Sequence, residues 1–130
     1  MTTDLFYLAL TAMLTAALWI PYIACQVMTN GALSGENYVN PAPRSVPLWG
    51  QRANRAHLNA VESFAPFAAM VIVAQLAGKA DGMTAFWATS FFWLRLAHAV
   101  VFWAAVPYLR TVLFTLGFVC VVGLFWEVIK

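Results

Sequence analysis

The sequence predicts an all-α integral membrane protein built from four transmembrane helices. Of its 130 residues, 63% are hydrophobic and only 9% are charged, and the mean hydropathy is +0.78. A soluble domain of this size must cover a large surface with polar groups, and this chain has too few of them. Its apolar residues are gathered in four stretches, each close to the about 20 residues that a helix needs to cross a bilayer. A single domain over residues 1–130 is therefore expected.

The first helix is predicted from about residue 5 to residue 27, with Pro21 bending its end. It lacks the basic start and the cleavage site of a signal peptide, so a retained helix is expected. A loop rich in Gly, Asn and Pro follows and is too polar to cross the membrane. The second helix is predicted over about 49–78, the third over about 83–106, and the fourth over about 108–128, with Pro107 marking the last break.

Charged residues are distributed unevenly between the two ends of these helices. An even number of crossings places both termini on one side, together with Lys79, Lys130 and three acids. The other side receives four arginines, namely Arg44, Arg52, Arg55 and Arg110. The positive-inside rule then predicts that the loops after the first and third helices are cytoplasmic. The net charge of +2 comes from few residues, so a nucleic-acid surface is not indicated.

The first half of the second helix carries a polar stripe. Its members are 3, 4, 3 and 4 residues apart, which places them on one helical face: Arg52, Arg55, Asn59, Glu62 and Pro66. On the third helix, Arg95, His98 and Phe102 repeat the step of 3 and then 4 residues.

Arg110 and Thr111 stand at the start of the fourth helix. Arg95 falls near the middle of the membrane, where an unpaired charge costs at least about 3 kcal/mol. Such a side chain must face protein, water or a partner charge, and Glu62 is expected within reach of it. At about 1.5 Å per residue, Glu62 and His98 lie at similar heights toward the cytoplasmic side.

Two interpretations of these polar residues remain open. A structural clasp between helices needs only one or two hydrogen-bonded pairs, and this set is larger than that. In a ligand site, guanidinium groups would pair with carboxylates, Glu62 would hold an ammonium group, and Asn59 would satisfy an amide. A small zwitterionic peptide with two carboxylates fits this inventory. A nucleotide fits less well, because the sequence has no Gly-rich loop to bind its phosphates. No metal is expected, because His57 and His98 have no second ligand at a useful spacing.

The motif RAHLNAVE at residues 55–62, followed by Phe64 and Pro66, resembles the second-helix signature of the MAPEG family. The name stands for membrane-associated proteins in eicosanoid and glutathione metabolism. The segments RLAHAVVF at residues 95–102 and PYLRT at residues 107–111 resemble the third helix and the start of the fourth. The resemblance covers nearly the whole chain and is to bacterial-type members that are like microsomal glutathione transferases.

The resemblance implies a homotrimer that binds glutathione, as a co-substrate, in clefts between neighbouring subunits near the cytoplasmic face. Carried over by position, Arg110 would stabilise the glutathione thiolate, with Thr111 beside it. Phe102 stands where many members have a tyrosine, so a hydroxyl is lost from the expected site. The residues expected to bind the peptide are Arg52, Arg55, Asn59, Glu62, Arg95, His98 and Tyr108.

The implied function is that of a membrane glutathione transferase or peroxidase in detoxification. A thiol has a pKa near 8.5, and an adjacent guanidinium lowers that pKa by favouring the anion. The thiolate would attack lipophilic electrophiles or lipid hydroperoxides that arrive from the bilayer. A bacterial-type inner membrane is the expected location, with lipids and a hydrophobic small molecule as partners. A non-catalytic scaffold or accessory subunit of a larger membrane complex remains open, as does a same-fold enzyme that uses another small thiol or an isomerase reaction.

Overall fold

The computed structural model describes residues 1–32, 34–40 and 44–130. This part of the chain is all-α, and four of its helical segments are long and apolar enough to cross a membrane. These spans are Thr3–Asn30, Leu48–Leu76, Gly82–Trp103 and Leu109–Ile129. The predicted four-helix integral membrane architecture is confirmed.

The first span consists of two helices, α1 (Thr3–Ala17) and α2 (Trp19–Asn30), which meet at Leu18. Pro21 has no N–H group to donate to the carbonyl one turn earlier, so the helix is interrupted before it. The N–H of Leu18 instead lies 3.1 Å from the carbonyl of Leu14 and 3.4 Å from that of Thr15. The break therefore precedes Pro21, whereas the sequence predicted a bend at the end of the helix. The loop that follows contains a short helix, α3 (Gly35–Val39).

The second span is a single helix, α4 (Leu48–Leu76), of 29 residues. At about 1.5 Å per residue it is about 43 Å long, which exceeds the about 30 Å of a hydrocarbon core. One end of α4 must therefore extend beyond the hydrocarbon. The first half of α4 carries the polar stripe. Pro66 lies inside α4 and removes the N–H that would bond to the carbonyl of Glu62.

The third span, α5 (Gly82–Trp103), begins with a capping box. Asp81 Oδ1 accepts hydrogen bonds from the backbone N–H of Met83 at 2.8 Å and of Thr84 at 3.0 Å. In return, Thr84 Oγ1 accepts from the N–H of Asp81 at 2.8 Å. The hydrogen bond from Thr84 is the main reason why the pKa of Asp81 is lowered. This cap fixes where α5 starts.

A tight turn connects α5 to the fourth span, α6 (Leu109–Ile129). Ala105 and Tyr108 both adopt positive φ angles, of 59° and 66°, which non-glycine residues rarely do. Because the chain reverses here, α5 ends at Trp103 rather than near the predicted residue 106.

The core lies between α4, α5 and α6. The rings of Phe67 and Phe91 stack with their centroids 4.0 Å apart. A Cβ atom added at Gly123 would lie 2.3 Å from the ring of Trp87, so α5 and α6 approach closely at this glycine, as small residues allow in membranes. This packing brings the start of α4, the end of α5 and the start of α6 to one end of the bundle.

The opposite end of the bundle carries most of the remaining charges. Lys79 Nζ donates to the backbone carbonyl of Lys130 at 3.0 Å, and Lys130 forms an ion pair with Glu127. The hydrogen bond to Glu127 is the largest cause of the raised pKa of Lys130. The buried carboxylate of Asp4 accepts from Thr84 Oγ1 at 3.3 Å. The two termini and the turn after α4 therefore lie together at the end of the bundle that is opposite to the polar stripe.

Candidate functional site

One end of the bundle holds a cavity of about 460 Å³, which we call the polar pocket. Its walls come from the start of α4, the end of α5 and the start of α6. It is lined by Leu48, Gln51, Arg52, Arg55, Asn59, His98, Phe102, Arg110, Thr111 and Phe114. Its volume lies within the range of small-molecule sites. Six of the residues expected from the sequence to bind or activate a ligand are therefore together here: Arg52, Arg55, Asn59, His98, Arg110 and Thr111.

Three arginines of the polar pocket, Arg52, Arg55 and Arg110, have no acidic partner among the residues that the structure describes. Within the described part of the chain, the one ion pair joins Lys130 and Glu127, at the other end of the bundle. The Nε atom of Arg52 is buried and makes no hydrogen bond to any described residue. Clustered guanidinium groups without carboxylates repel one another and attract anions. The pocket is therefore suited to an anionic ligand with more than one acceptor group.

Arg110 is positioned by the aromatic ring of Phe102. Its Cζ atom lies 4.7 Å from the centroid of that ring, a distance typical of a cation–π contact. Phe102 is itself only 9% exposed, and the ring of His98 lies 5.6 Å from it. The sequence drew attention to the hydroxyl that Phe102 lacks, and the structure shows what its ring does: it supports the guanidinium of Arg110.

Asn59 connects the polar pocket to the buried Arg95. Arg95 Nη2 donates to Asn59 Oδ1 at 3.0 Å, so the amide oxygen is occupied and the NH₂ group of Asn59 is left to donate to a ligand. The sequence had placed Glu62 within reach of Arg95. Among the described residues, Arg95 forms no ion pair with Glu62, and its hydrogen-bonded partner is Asn59.

A second cavity, of about 220 Å³, lies next to the polar pocket, and we call it the apolar groove. It is lined by Glu62, Ser63, Pro66, Phe91, Arg95, Phe114, Gly117, Phe118 and Val121. Phe114 lines both cavities, and the hydrogen bond between Asn59 and Arg95 joins a residue of each. Glu62 and Arg95, which the sequence assigned to one site with the other polar residues, line this groove. Glu62 lies about 4.5 Å further along α4 than Asn59, which accounts for its separation from the arginines.

Tyr108 does not line either cavity, although it was expected among the glutathione-binding residues. Its side chain is 85% exposed, and its φ of 66° at the start of α6 directs the chain through the turn after Pro107. Exposed tyrosines at helix ends commonly act as interfacial anchors in membrane proteins, and contact of Tyr108 with glutathione stays a prediction.

Sequence reasoning missed several residues of the two cavities. Phe114 lies four residues after Arg110, on the same face of α6, so extending the polar face by one turn would have found it. Gln51 immediately precedes the stripe. Gly117 carried no signal in the sequence, because its contribution is the space left by a missing side chain. Within the described residues, no group of three or more His, Cys, Asp or Glu could hold a metal ion.

Comparisons with known proteins connect this geometry to one family. No curated protein and no solved structure matched the chain. The family model described as the MAPEG family matches residues 5–130, a range that contains nearly all of the four spans and every residue of both cavities. The chain therefore belongs to the MAPEG family.

Proposed function

We propose that the polar pocket binds glutathione and that this protein is a membrane glutathione transferase or peroxidase. The MAPEG family includes membrane glutathione transferases, peroxidases and leukotriene synthases. The observation that carries the proposal is the group of three arginines in one cavity that lack a carboxylate partner among the described residues.

Glutathione has two carboxylates, one ammonium group, two amides and a thiol, and each group has a counterpart near the pocket. Arg52 and Arg55 would pair with the carboxylates through charge-assisted hydrogen bonds. The free NH₂ group of Asn59 would donate to an amide carbonyl. Glu62, which lines the adjoining apolar groove, would accept the ammonium group.

Arg110 would stabilise the thiolate. Its positive charge favours the anionic form of a nearby thiol, so more of the thiol is ionised at neutral pH. Arg110 and Thr111 are both exposed, so water can take up the proton that the thiol releases. The thiolate sulfur would then bond to an electrophilic carbon, as a leaving group departs or as it adds across a double bond. With a hydroperoxide, the sulfur would bond to the terminal oxygen as the O–O bond breaks, and water would protonate the released alkoxide to the alcohol. The glutathione sulfenic acid formed in this way would react with a second glutathione to give the disulfide and water.

We extend the proposal to the assembly and its location. The polar pocket would open toward the cytoplasm of a bacterial inner membrane, and the subunits would form a homotrimer in which a neighbour covers the pocket. The family resemblance supports the homotrimer, and the arginine-rich end of the bundle supports the orientation. A mass corresponding to three chains in detergent, measured by light scattering, is expected, and a monomer of unimpaired activity would contradict the trimer.

Calorimetric titration of the detergent-purified protein with glutathione tests the site. Arg55→Gln is expected to weaken binding by about tenfold or more, because a charge-assisted hydrogen bond contributes about 1.5–3 kcal/mol. Arg44→Gln is the matched control: it removes the same charge from the same predicted side of the membrane, and Arg44 does not line the pocket. Equal weakening by both variants would indicate general electrostatic attraction and would contradict a built site.

A further inference from the structure

A series of hydrogen-bonded side chains runs along α2 to the segment that precedes α4. Gln26 Nε2 donates to the hydroxyl oxygen of Tyr22 at 2.8 Å, and Asn30 Nδ2 donates to Gln26 Oε1 at 3.0 Å. Asn30 Nδ2 also donates to the backbone carbonyl of Ser45 at 3.0 Å, so both hydrogens of its NH₂ group are used. We call Tyr22, Gln26 and Asn30 the α2 ladder.

Gln26 is the buried member of the α2 ladder. Its side chain is 8% exposed, and it lies one helical turn before the end of the first span. A buried amide costs free energy unless it is hydrogen-bonded, and polar side chains inside membrane spans commonly have a function. Both ends of the Gln26 amide are bonded within the ladder. Because Asn30 then bonds to a carbonyl outside the helix, the ladder connects the interior of the span to the segment before α4.

A second contact joins α2 to the first turn of α4. Cys25 is fully buried, and a Cβ atom added at Gly50 would collide with its Sγ atom. The same Cβ atom would lie 3.1 Å from Cys25 Cβ and 3.3 Å from Val46 Cβ, so glycine is what allows the two helices to approach here. Gln51 Nε2 donates to the carbonyl of Val46 at 3.1 Å and closes the same turn.

The segment held in this way carries the rim of the polar pocket. Gln51 and Arg52, which line the pocket, directly follow Gly50. Among the described elements, α2 packs against α1 and α4 and not against α5 or α6, so its position can affect the pocket only through α4. The Nε atom of Arg52 makes no hydrogen bond to a described residue. The backbone at the start of α4 therefore places the Arg52 guanidinium without help from a bond at Nε.

We propose that the α2 ladder is a positioning device for the polar pocket, in which Gln26 and Asn30 hold the start of α4 so that Arg52 can pair with the anionic ligand. The proposal rests on the proposed glutathione function, in which Arg52 pairs with a carboxylate. The ladder residues do not line the pocket, so they act through Arg52 and not on the ligand. Arg110 lies on α6, which α2 does not contact, so the ladder affects glutathione binding and not the chemical step.

Steady-state kinetics of the detergent-purified protein separates these two effects. Conjugation to 1-chloro-2,4-dinitrobenzene is measured while the glutathione concentration is varied. Gln26→Leu keeps a side chain of similar size that suits the apolar span, so the variant is expected to fold. Its KM for glutathione is expected to rise by about three- to tenfold, as one charge-assisted hydrogen bond is weakened, while kcat stays unchanged.

Thr11→Val is the matched control for Gln26→Leu. Thr11 is a buried polar residue of the same span, but its hydroxyl donates to the carbonyl of Tyr7 inside α1. The variant therefore removes a buried hydrogen bond that does not reach α4. It is expected to leave both KM and kcat unchanged, and a KM raised as much as in Gln26→Leu would overturn the proposal.

Asn30→Ala tests whether the ladder residues act in series. It removes the bond to Ser45, and Gln26 reaches that carbonyl only through Asn30. The double variant Gln26→Leu/Asn30→Ala is therefore expected to have no higher KM than Asn30→Ala alone. Effects on KM that multiply would show that the two residues act separately, and this result would overturn the ladder.

Hydrogen–deuterium exchange without glutathione keeps the test independent of the proposed function. The backbone N–H groups of Gly50 and Gln51 donate to the carbonyl of Pro47, and both are expected to exchange faster in Gln26→Leu than in the wild-type protein or Thr11→Val. Unchanged exchange, or faster exchange with an unchanged KM, overturns the positioning proposal even when glutathione binds. A wild-type protein that binds no glutathione overturns the proposed function, whereas faster exchange in Gln26→Leu would still support a ladder that holds the start of α4.

Discussion

Phe102 shows how much the function of a charged residue depends on the residue beneath it. The guanidinium of Arg110 is exposed, and a flexible exposed side chain would sample many orientations. Its contact with the buried ring of Phe102, at 4.7 Å from the centroid, limits that freedom. The ring is the part of the expected tyrosine that this chain retains, so the arginine stays positioned although the hydroxyl is absent.

Replacing that ring is expected to reduce activity through Arg110. In Phe102→Leu, the loss of a cation–π contact of about 0.5–1 kcal/mol corresponds to a two- to fivefold lower kcat/KM. The measurement is glutathione conjugation to 1-chloro-2,4-dinitrobenzene at neutral pH. Phe102→Tyr keeps the aromatic face and serves as the control. Equal losses in both variants, with unchanged thermal stability, would show that the ring does not support Arg110.

The start of α5 illustrates how one element is fixed by local chemistry. Asp81 and Thr84 satisfy each other's backbone N–H groups, which would otherwise be unpaired at the first turn. Because α5 contributes Arg95, His98 and Phe102 at its other end, its start also determines the depth at which these side chains lie.

The capping carboxylate makes the stability of this element dependent on pH. The pKa of Asp81 is lowered in the folded chain, first by the hydrogen bond from the Thr84 N–H. Its stabilisation is therefore complete above the ordinary pKa of an aspartate and is lost as the pH falls through the lowered value. Asp81→Asn keeps the cap without the titrating group.

Thermal unfolding in detergent, compared at neutral and acidic pH, tests whether the cap depends on the charge of the Asp81 carboxylate. The wild-type protein is expected to lose more stability in acid than Asp81→Asn does, while Asp81→Ala is less stable than both at neutral pH. Identical pH profiles for the wild-type protein and Asp81→Asn would show that the cap does not depend on the carboxylate charge.

At the scale of the whole molecule, the sequence predicted the four spans because lipid imposes long apolar segments whatever the packing. It did not predict the break at Leu18 or the end of α5 at Trp103. Both depend on backbone conformations: a proline that leaves a carbonyl unpaired in one case, and positive φ angles at Ala105 and Tyr108 in the other. Hydropathy contains no information on either.

The candidate site was also predictable from the sequence only in part. Helical spacing identifies a common face, and Arg52, Arg55 and Asn59 do line one cavity. Spacing does not identify the partner across a helix interface, so Arg95 was expected beside Glu62 and is bonded to Asn59. Nor does it show how one stripe is divided between two cavities, which depends on how the three helices pack.

The account as a whole depends on the claim that the polar pocket binds glutathione and ionises its thiol through Arg110. Ultraviolet difference absorbance of the detergent-purified protein, titrated with glutathione at neutral pH, reports thiolate formation directly. We predict a saturable thiolate signal that disappears in Arg110→Ala and persists in Arg44→Gln. Absence of that signal in the wild-type protein, or its survival in Arg110→Ala, would contradict the claim.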